Sequence, residues 1–135
     1  MAYSSIIKPS TLMNTKLYTG NGGTNAQTGV GFQPDWVWLK QRSGSASSNK
    51  LYDSVRGTTK YIASNNDGAE ATDSNGLTAF GTDGFTVGSS AGTNANGQTY
   101  VGWNWKAAGA NPAKTYVVKV VSDGGNKYRL DDFAA

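Results

Sequence analysis

The chain reads as an all-β domain, a sandwich or a closed barrel, and three observations predict this. All four tryptophans fall in two pairs, Trp36-Val37-Trp38 and Trp103-Asn104-Trp105. A spacing of two sets both rings of a pair on one face of a strand. Short β-prone runs recur along the chain between stretches of Gly, Ser, Thr and Asn, and 18 of the residues are glycine; that alternation is the pattern of sandwiches and barrels. No segment carries helical periodicity.

The elements follow in order. Residues 1–15 are polar apart from Ile6 and Ile7 and read as an N-terminal arm. A short strand at 16–19 runs into the turn signal Gly20-Asn21-Gly22-Gly23. Residues 28–33 read as a second strand. Pro34-Asp35 then opens a strand at 36–42, which carries apolar groups on both faces and so belongs in the middle of its sheet. A polar loop at 43–49 leads to strands at 50–56 and 60–63, joined at Gly57. After a long polar loop at 64–76, residues 77–80 and 84–88 form a hairpin around Gly81-Thr82-Asp83-Gly84. A second polar loop, 89–97, precedes a strand at 98–106, where Val101, Trp103 and Trp105 share a face. Residues 107–114 read as a linker. A β-branched strand at 115–121, a turn at Asp123-Gly124-Gly125-Asn126 and a strand at 127–130 close the chain. The organisation is an arm (1–15), a β-sandwich domain (16–109), and a linker with a C-terminal β-hairpin (110–135).

The composition limits the chemistry. A length of 135 residues fits one domain with at most a small appendage. An aromatic fraction of 11 % with a net charge of only +3 argues against disorder. The basic residues form no run, so nucleic acid is not an expected partner. Without histidine or cysteine there is no Ser-His-Asp or Cys-His catalysis, no usual zinc site and no disulfide. Glu70 is the single glutamate, and with Asp73 it sits in a soft loop rather than on rigid elements that would hold paired catalytic carboxylates. The expectation is no enzyme and no cofactor. The N-terminal residues have no apolar run of the length of a signal peptide or a membrane span, so synthesis in a cytosol is expected.

Several residues carry sharper alternatives. The tryptophans Trp36, Trp38, Trp103 and Trp105 read first as structural core, because indoles bury large apolar area; facing solvent, they would form a platform for sugar or protein. Asp67, Glu70 and Asp73, with Asn75 and Asp83, supply hard oxygen donors and are weak calcium candidates, set against a solvated loop with Asx turns. Gly20-x-Gly22 and Gly29-x-Gly31 open no helix and read as turns or bulges, not phosphate loops. Asp53 and Arg56 lie on opposite faces of a regular strand and meet only across a bend, where they would fix a corner. Tyr52, Tyr61 and Tyr100, with Asn94, Asn96 and Asn104, are the candidates for a carbohydrate site. Tyr116, Val118 and Val120 lie in a strand with no evident partner, an edge suited to assembly with another chain.

The run GVGFQPDWVWLKQRS (29–43) is joined by YTGNG (18–22), LYDSVRGTTKYIASN (51–65), AEATDSNGLTAF (69–80), DGFTVG (83–88) and YVGWNWKA (100–107). Together these motifs resemble a concanavalin-like β-sandwich module of the virion structural and tail-fibre proteins of tailed bacteriophages, especially aquatic ones. The likeness covers about residues 17–108 with the motifs in order. The segment VVSDGGNKYRLDD (120–132) resembles the start of another small β module fused in phage appendage proteins. The resemblance implies a jelly-roll sandwich with an appended hairpin and a non-enzymatic adhesion or assembly role in a virion assembled in the host cytoplasm. It implies other virion proteins as partners, a homo-oligomer (a trimer by analogy), and a host surface glycan as a further partner. Tail fibre or appendage is the first expectation, capsid decoration or head fibre the second, a carbohydrate-binding module the third. The family supplies no ligand residues to transfer.

Overall fold

The computed structural model of the protein describes residues 9–45 and 47–107, and the backbone of Val118–Ser122 and Tyr128–Asp132. A single 3-10 turn at Pro9–Thr11 leads into β1 (Met13–Thr19). The strands that follow are β2 (Asn25–Gln27), β3 (Trp36–Gln41), β4 (Lys50–Asp53), β5 (Lys60–Ala63), β6 (Ala71–Thr72), β7 (Leu77–Gly81) and β8 (Gly84–Val87). One helical turn, α1 (Ala91–Asn94), precedes β9 (Thr99–Trp105). The strands form a six-stranded sheet in the order β1-β9-β3-β4-β5-β6 and a three-stranded sheet in the order β2-β8-β7, with all pairings antiparallel. The protein is therefore predominantly β, as the sequence predicts, with two sheets packed face to face.

The core lies between the sheets. Tyr18, Val37, Leu39, Tyr52 and Tyr100 from the larger sheet meet Leu77, Phe85 and Val87 from the smaller one. Each such side chain taken from water contributes roughly 1.5–3 kcal/mol. Phe85 meets Tyr18 edge to face at 6.1 Å, and Tyr18 stacks on Tyr100 at 5.2 Å. Gly102 sits opposite Phe85. A Cβ there would lie 3.0 Å from Phe85 Cζ and 3.1 Å from Leu39 Cδ2, so the glycine leaves the space the phenylalanine ring fills.

Four expectations change. Residues 28–33 are not a strand: Gly29 and Gly31 both take positive φ, 83° and 91°, and wrap around the Asp83 carboxylate, which accepts from both their amides. The strand beside β8 is β2 instead. The strand expected over 50–56 stops at Asp53, where Arg56 N donates to Asp53 Oδ1 at 2.8 Å and turns the chain. The expected arm cuts into a real strand, because Met13, Asn14 and Thr15 pair with Trp105, Asn104 and Trp103. The polar stretches 64–76 and 89–97 contain β6 and α1, both too short to leave a periodic signal.

β10 (Val118–Ser122) and β11 (Tyr128–Asp132) pair antiparallel as a two-stranded sheet of their own, with Val120 opposite Leu130. The linker beyond Ala107 and the assembly candidate Tyr116 lie outside the described residues, as do the side chains of Val118 and Val120. Among the described residues, no helix is long and apolar enough to cross a membrane.

Candidate interaction surface

Strand alternation decides which side chains leave the core. In β3, Val37 and Leu39 point inward, so Trp36, Trp38 and Lys40 occupy the outer face. In β9, Tyr100, Gly102 and Asn104 point inward, which sends Val101, Trp103 and Trp105 outward. The two strands are neighbours, with Trp36 opposite Trp105 and Trp38 opposite Trp103. The tryptophan pairs are thus partners in one sheet, but they are not the structural core. All four are half-buried and stand on the face away from the second sheet. The inner positions of both strands are already filled, and a spacing of two does not say which face is covered.

Register extends this face across five strands. One row runs Met13, Trp105, Trp36, Asp53; the next runs Thr15, Trp103, Trp38, Leu51, Ile62; a third runs Leu17, Val101, Lys40. Leu17 is 57 % exposed, Ile62 40 % and Met13 37 %. Together these side chains make an apolar patch on the outer sheet face, within which Val101 is only 6 % exposed. Its rings lie 4.4 Å (Trp36–Trp105), 5.2 Å (Trp38–Trp103) and 6.4 Å (Trp36–Trp38) apart, tilted by 41°, 52° and 39°. They pack on one another as an interlocked cluster and do not lie coplanar as a flat stacking platform for sugar rings would require. The indole Nε1 of Trp38 is buried without a hydrogen-bond partner among the described residues.

Asp35 fixes one end of the face. Its amide donates to Trp105 O at 2.8 Å, its Oδ1 accepts from Ser54 Oγ at 3.1 Å, and its Oδ2 accepts from Ala107 N at 2.9 Å. The carboxylate thus staples the entry of β3 to the ends of β4 and β9.

The remaining polar groups secure loops. Lys50 Nζ lies 2.6 Å from Asp73 Oδ2, which also accepts from Ser90 Oγ at 2.5 Å. Burial alone raises the Asp73 carboxyl pKa, but the bonds from Lys50 and Ser90, the Lys50 charge and the Asn75 amide outweigh it, and the net shift is downward. Asp53 behaves alike: desolvation raises it, while the Arg56 amide, guanidinium and charge bring it below the usual carboxylate range. The two pair because the turn starts at Ser54, and Arg56 also reaches Leu51 O at 3.0 Å and Glu70 Oε2 at 3.5 Å. This fixes the corner that the sequence suggested. Asp83 is lowered by the Gly29 and Gly31 amides.

The calcium candidates are not brought together. Asp73 is engaged by Lys50 and Ser90, Glu70 faces Arg56, and no group of three or more acidic side chains placed to hold a metal exists among the described residues. The carbohydrate candidates fare no better. Tyr52, Tyr100, Asn94 and Asn104 are fully buried, so none of the four faces a ligand. Burial pushes the Tyr52 phenol well up, with the Asp73 charge adding to it, and burial likewise raises Tyr100. Tyr61 lies half-buried under Lys50 Nζ, 4.5 Å from its ring centre. A depression of about 350 Å³ lined by Gln41, Ser45, Ser47, Gly92 and Gln98 has its amides already engaged: Gln41 Nε2 donates to Ser43 O, and Gln98 Oε1 accepts from Ser43 Oγ.

One structural residue carried no legible role. Asn94 donates to Asn21 Oδ1, Gly23 O and Gly88 O at 2.9, 2.6 and 2.8 Å, and accepts from Asn21 N and Asn25 Nδ2 at 3.0 and 2.9 Å. It binds loops about 70 residues apart in sequence, a distance at which no local motif gives a signal.

A family model described as Domain of unknown function (DUF7483) matches residues 8–123. The chain belongs to this family. The match spans both sheets and runs through β10, so the DUF7483 unit takes in every strand that builds the tryptophan face. No curated protein and no solved structure matches the chain.

Proposed function

We propose that this DUF7483 protein is a non-enzymatic structural module of a tailed-bacteriophage particle, a jelly-roll sandwich serving adhesion or assembly in a tail fibre or related appendage. The observation that carries the reading is the tryptophan face. A sandwich that places all of its tryptophans, with Met13, Leu17, Leu51 and Ile62, on an outer sheet face presents a surface suited to being covered by protein. Two further points support it. The motif series from 18–22 to 100–107 is similar to that of phage appendage modules. Asp35, Asp53, Asp73, Asp83 and Glu70 are each engaged in loop-fixing bonds or ion pairs rather than gathered in a cleft. Other virion proteins and further copies of the chain are the partners this reading calls for.

The test is immunogold labelling of purified particles from a phage that encodes the chain. Label on tails or fibres supports the reading. Label on heads replaces it with capsid decoration or a head fibre. Particles free of the protein by mass spectrometry and labelling would sink it.

A further inference from the structure

The larger sheet has one face filled by the smaller sheet, and its tryptophans stand on the opposite face. The chain also contains a ribbon that needs a surface. The register of β10 and β11 sets Val118, Val120, Tyr128 and Leu130 on one side, with Ser122 and Asp132 at its ends. Lys119, Val121, Arg129 and Asp131 fall on the other side, and Lys119 is directly opposite Asp131. One side is therefore mainly apolar and the other mainly charged. A two-stranded ribbon is marginal in water unless a face packs on something, and this one is hydrogen-bonded to neither of the other sheets.

We propose that the Val118–Asp132 hairpin docks, through its Val118, Val120, Tyr128 and Leu130 side, on the tryptophan face of its own sandwich. The inference rests on the reading of that face as an interaction surface and names its first occupant. Chain geometry favours it. Ala107 follows Trp105 by two residues and is tied to Asp35, so the chain leaves the sandwich at the edge of the face. Ten residues, 108–117, separate Ala107 from Val118; extended, they span up to about 35 Å. Seven residues of β9 cover roughly 23 Å, so the whole face is within reach. A short tether also gives the intrachain contact a high effective concentration. The outer side of the smaller sheet is a poor competitor, because its register sets Ala26, Thr86 and Ala79 there, small or polar residues. In the free protein the hairpin thus stands where a partner would bind, and assembly requires it to move aside.

All four tryptophans lie on this face, so tryptophan emission reports on it alone. The full-length Val120→Asp/Leu130→Asp variant is compared with wild type by emission maximum and acrylamide quenching, with Lys119→Glu on the opposite side as control. The expected result is a red shift and stronger quenching for the double variant and none for Lys119→Glu. The protein has no cysteine, so a nitroxide on Arg129→Cys is unique and leaves the docking side intact. In that protein the indole N–H signals are expected to broaden. The broadening is expected to be absent between spin-labelled chains and isotope-labelled chains mixed from separate preparations. Identical emission in wild type and double variant overturns the proposal. So does broadening seen only between mixed chains, which would place the hairpin on a second copy. Particle labelling tests the underlying reading separately and is unaffected by either result.

Discussion

Lys50 Nζ and Asp73 Oδ2 meet at 2.6 Å on the inner side of the larger sheet, with the ammonium 4.5 Å from the centre of the Tyr61 ring. Lys50 is only 7 % exposed, and the Asp73 carboxylate is its ion-pair partner there. Asp73→Asn removes the counter-charge and leaves the ammonium in place. The expected cost is about 2–4 kcal/mol, tempered because the aspartate side chain keeps 20 % of its exposure. The double variant Lys50→Met/Asp73→Asn is expected to recover much of it. Urea unfolding of the four proteins in the cycle measures both quantities.

The same carboxylate makes stability depend on pH. The folded-state pKa values of Asp73 and Asp53 are depressed. Their contribution is present above the unfolded carboxylate value of about 3.9 and is lost as pH falls through the lower folded values. The melting temperature is expected to hold from neutral pH down to about pH 5 and then to fall toward pH 2. Asp73→Asn should start lower and fall less steeply, and calorimetry across that range reads both.

Asn94→Ala is expected to cost about 2–4 kcal/mol, because it strands the Gly23 and Gly88 carbonyls and the Asn21 amide without their bonds. Amide exchange should quicken in the 20–25 loop and around α1 before it quickens in β3. Unchanged exchange there would show that the asparagine does not hold these loops.

Phe85→Ala is expected to cost about 3–5 kcal/mol, as for other aromatic core truncations. Trp103→Ala, on the half-covered outer face, is expected to cost clearly less, about 1–2 kcal/mol. A double-mutant cycle of Trp38 and Trp103, whose rings lie 5.2 Å apart, should give a coupling of about 0.5–1.5 kcal/mol. Chemical denaturation followed by far-UV circular dichroism ranks them without relying on tryptophan emission.

Gly102→Ala drives a methyl against Phe85 and Leu39, and overpacking of this kind costs about 1–3 kcal/mol. Gly102→Ala/Phe85→Leu should relieve part of it, by comparison of their unfolding midpoints.

Local chemistry made much of this fold legible. The spacing of two in each tryptophan pair put the rings on one face of each strand, leaving open whether the two strands share a sheet, which the β3–β9 ladder decides, and apolar groups on both sides of β3 placed it inside its sheet. The two-residue turn at Thr82-Asp83 was readable from its flanking glycines. What stayed hidden depends on contacts between distant residues. Which face of β3 is covered follows from where Leu77, Phe85 and Val87 pack, and nothing within residues 36–41 encodes that. Gly29 and Gly31 signal a turn, but its purpose, gripping Asp83 more than 50 residues away, has no local sign. The buried amides of Asn94 and Asn104 looked like surface polar groups because composition does not reveal partners.

The pairing of Met13 with Trp105 sets a timetable for folding. Among the described strands β1 is the edge of the larger sheet and has β9 as its ladder partner, and β3 also waits for β9 to complete its second ladder. A ribosome delivering roughly 5–20 residues per second therefore holds the first strand unpaired until nearly the whole sandwich sequence has emerged. Closure is a late event that joins the two ends of the domain, so an interrupted chain lacking β9 would expose both Tyr18 and Val37 and be a substrate for chaperones or proteases.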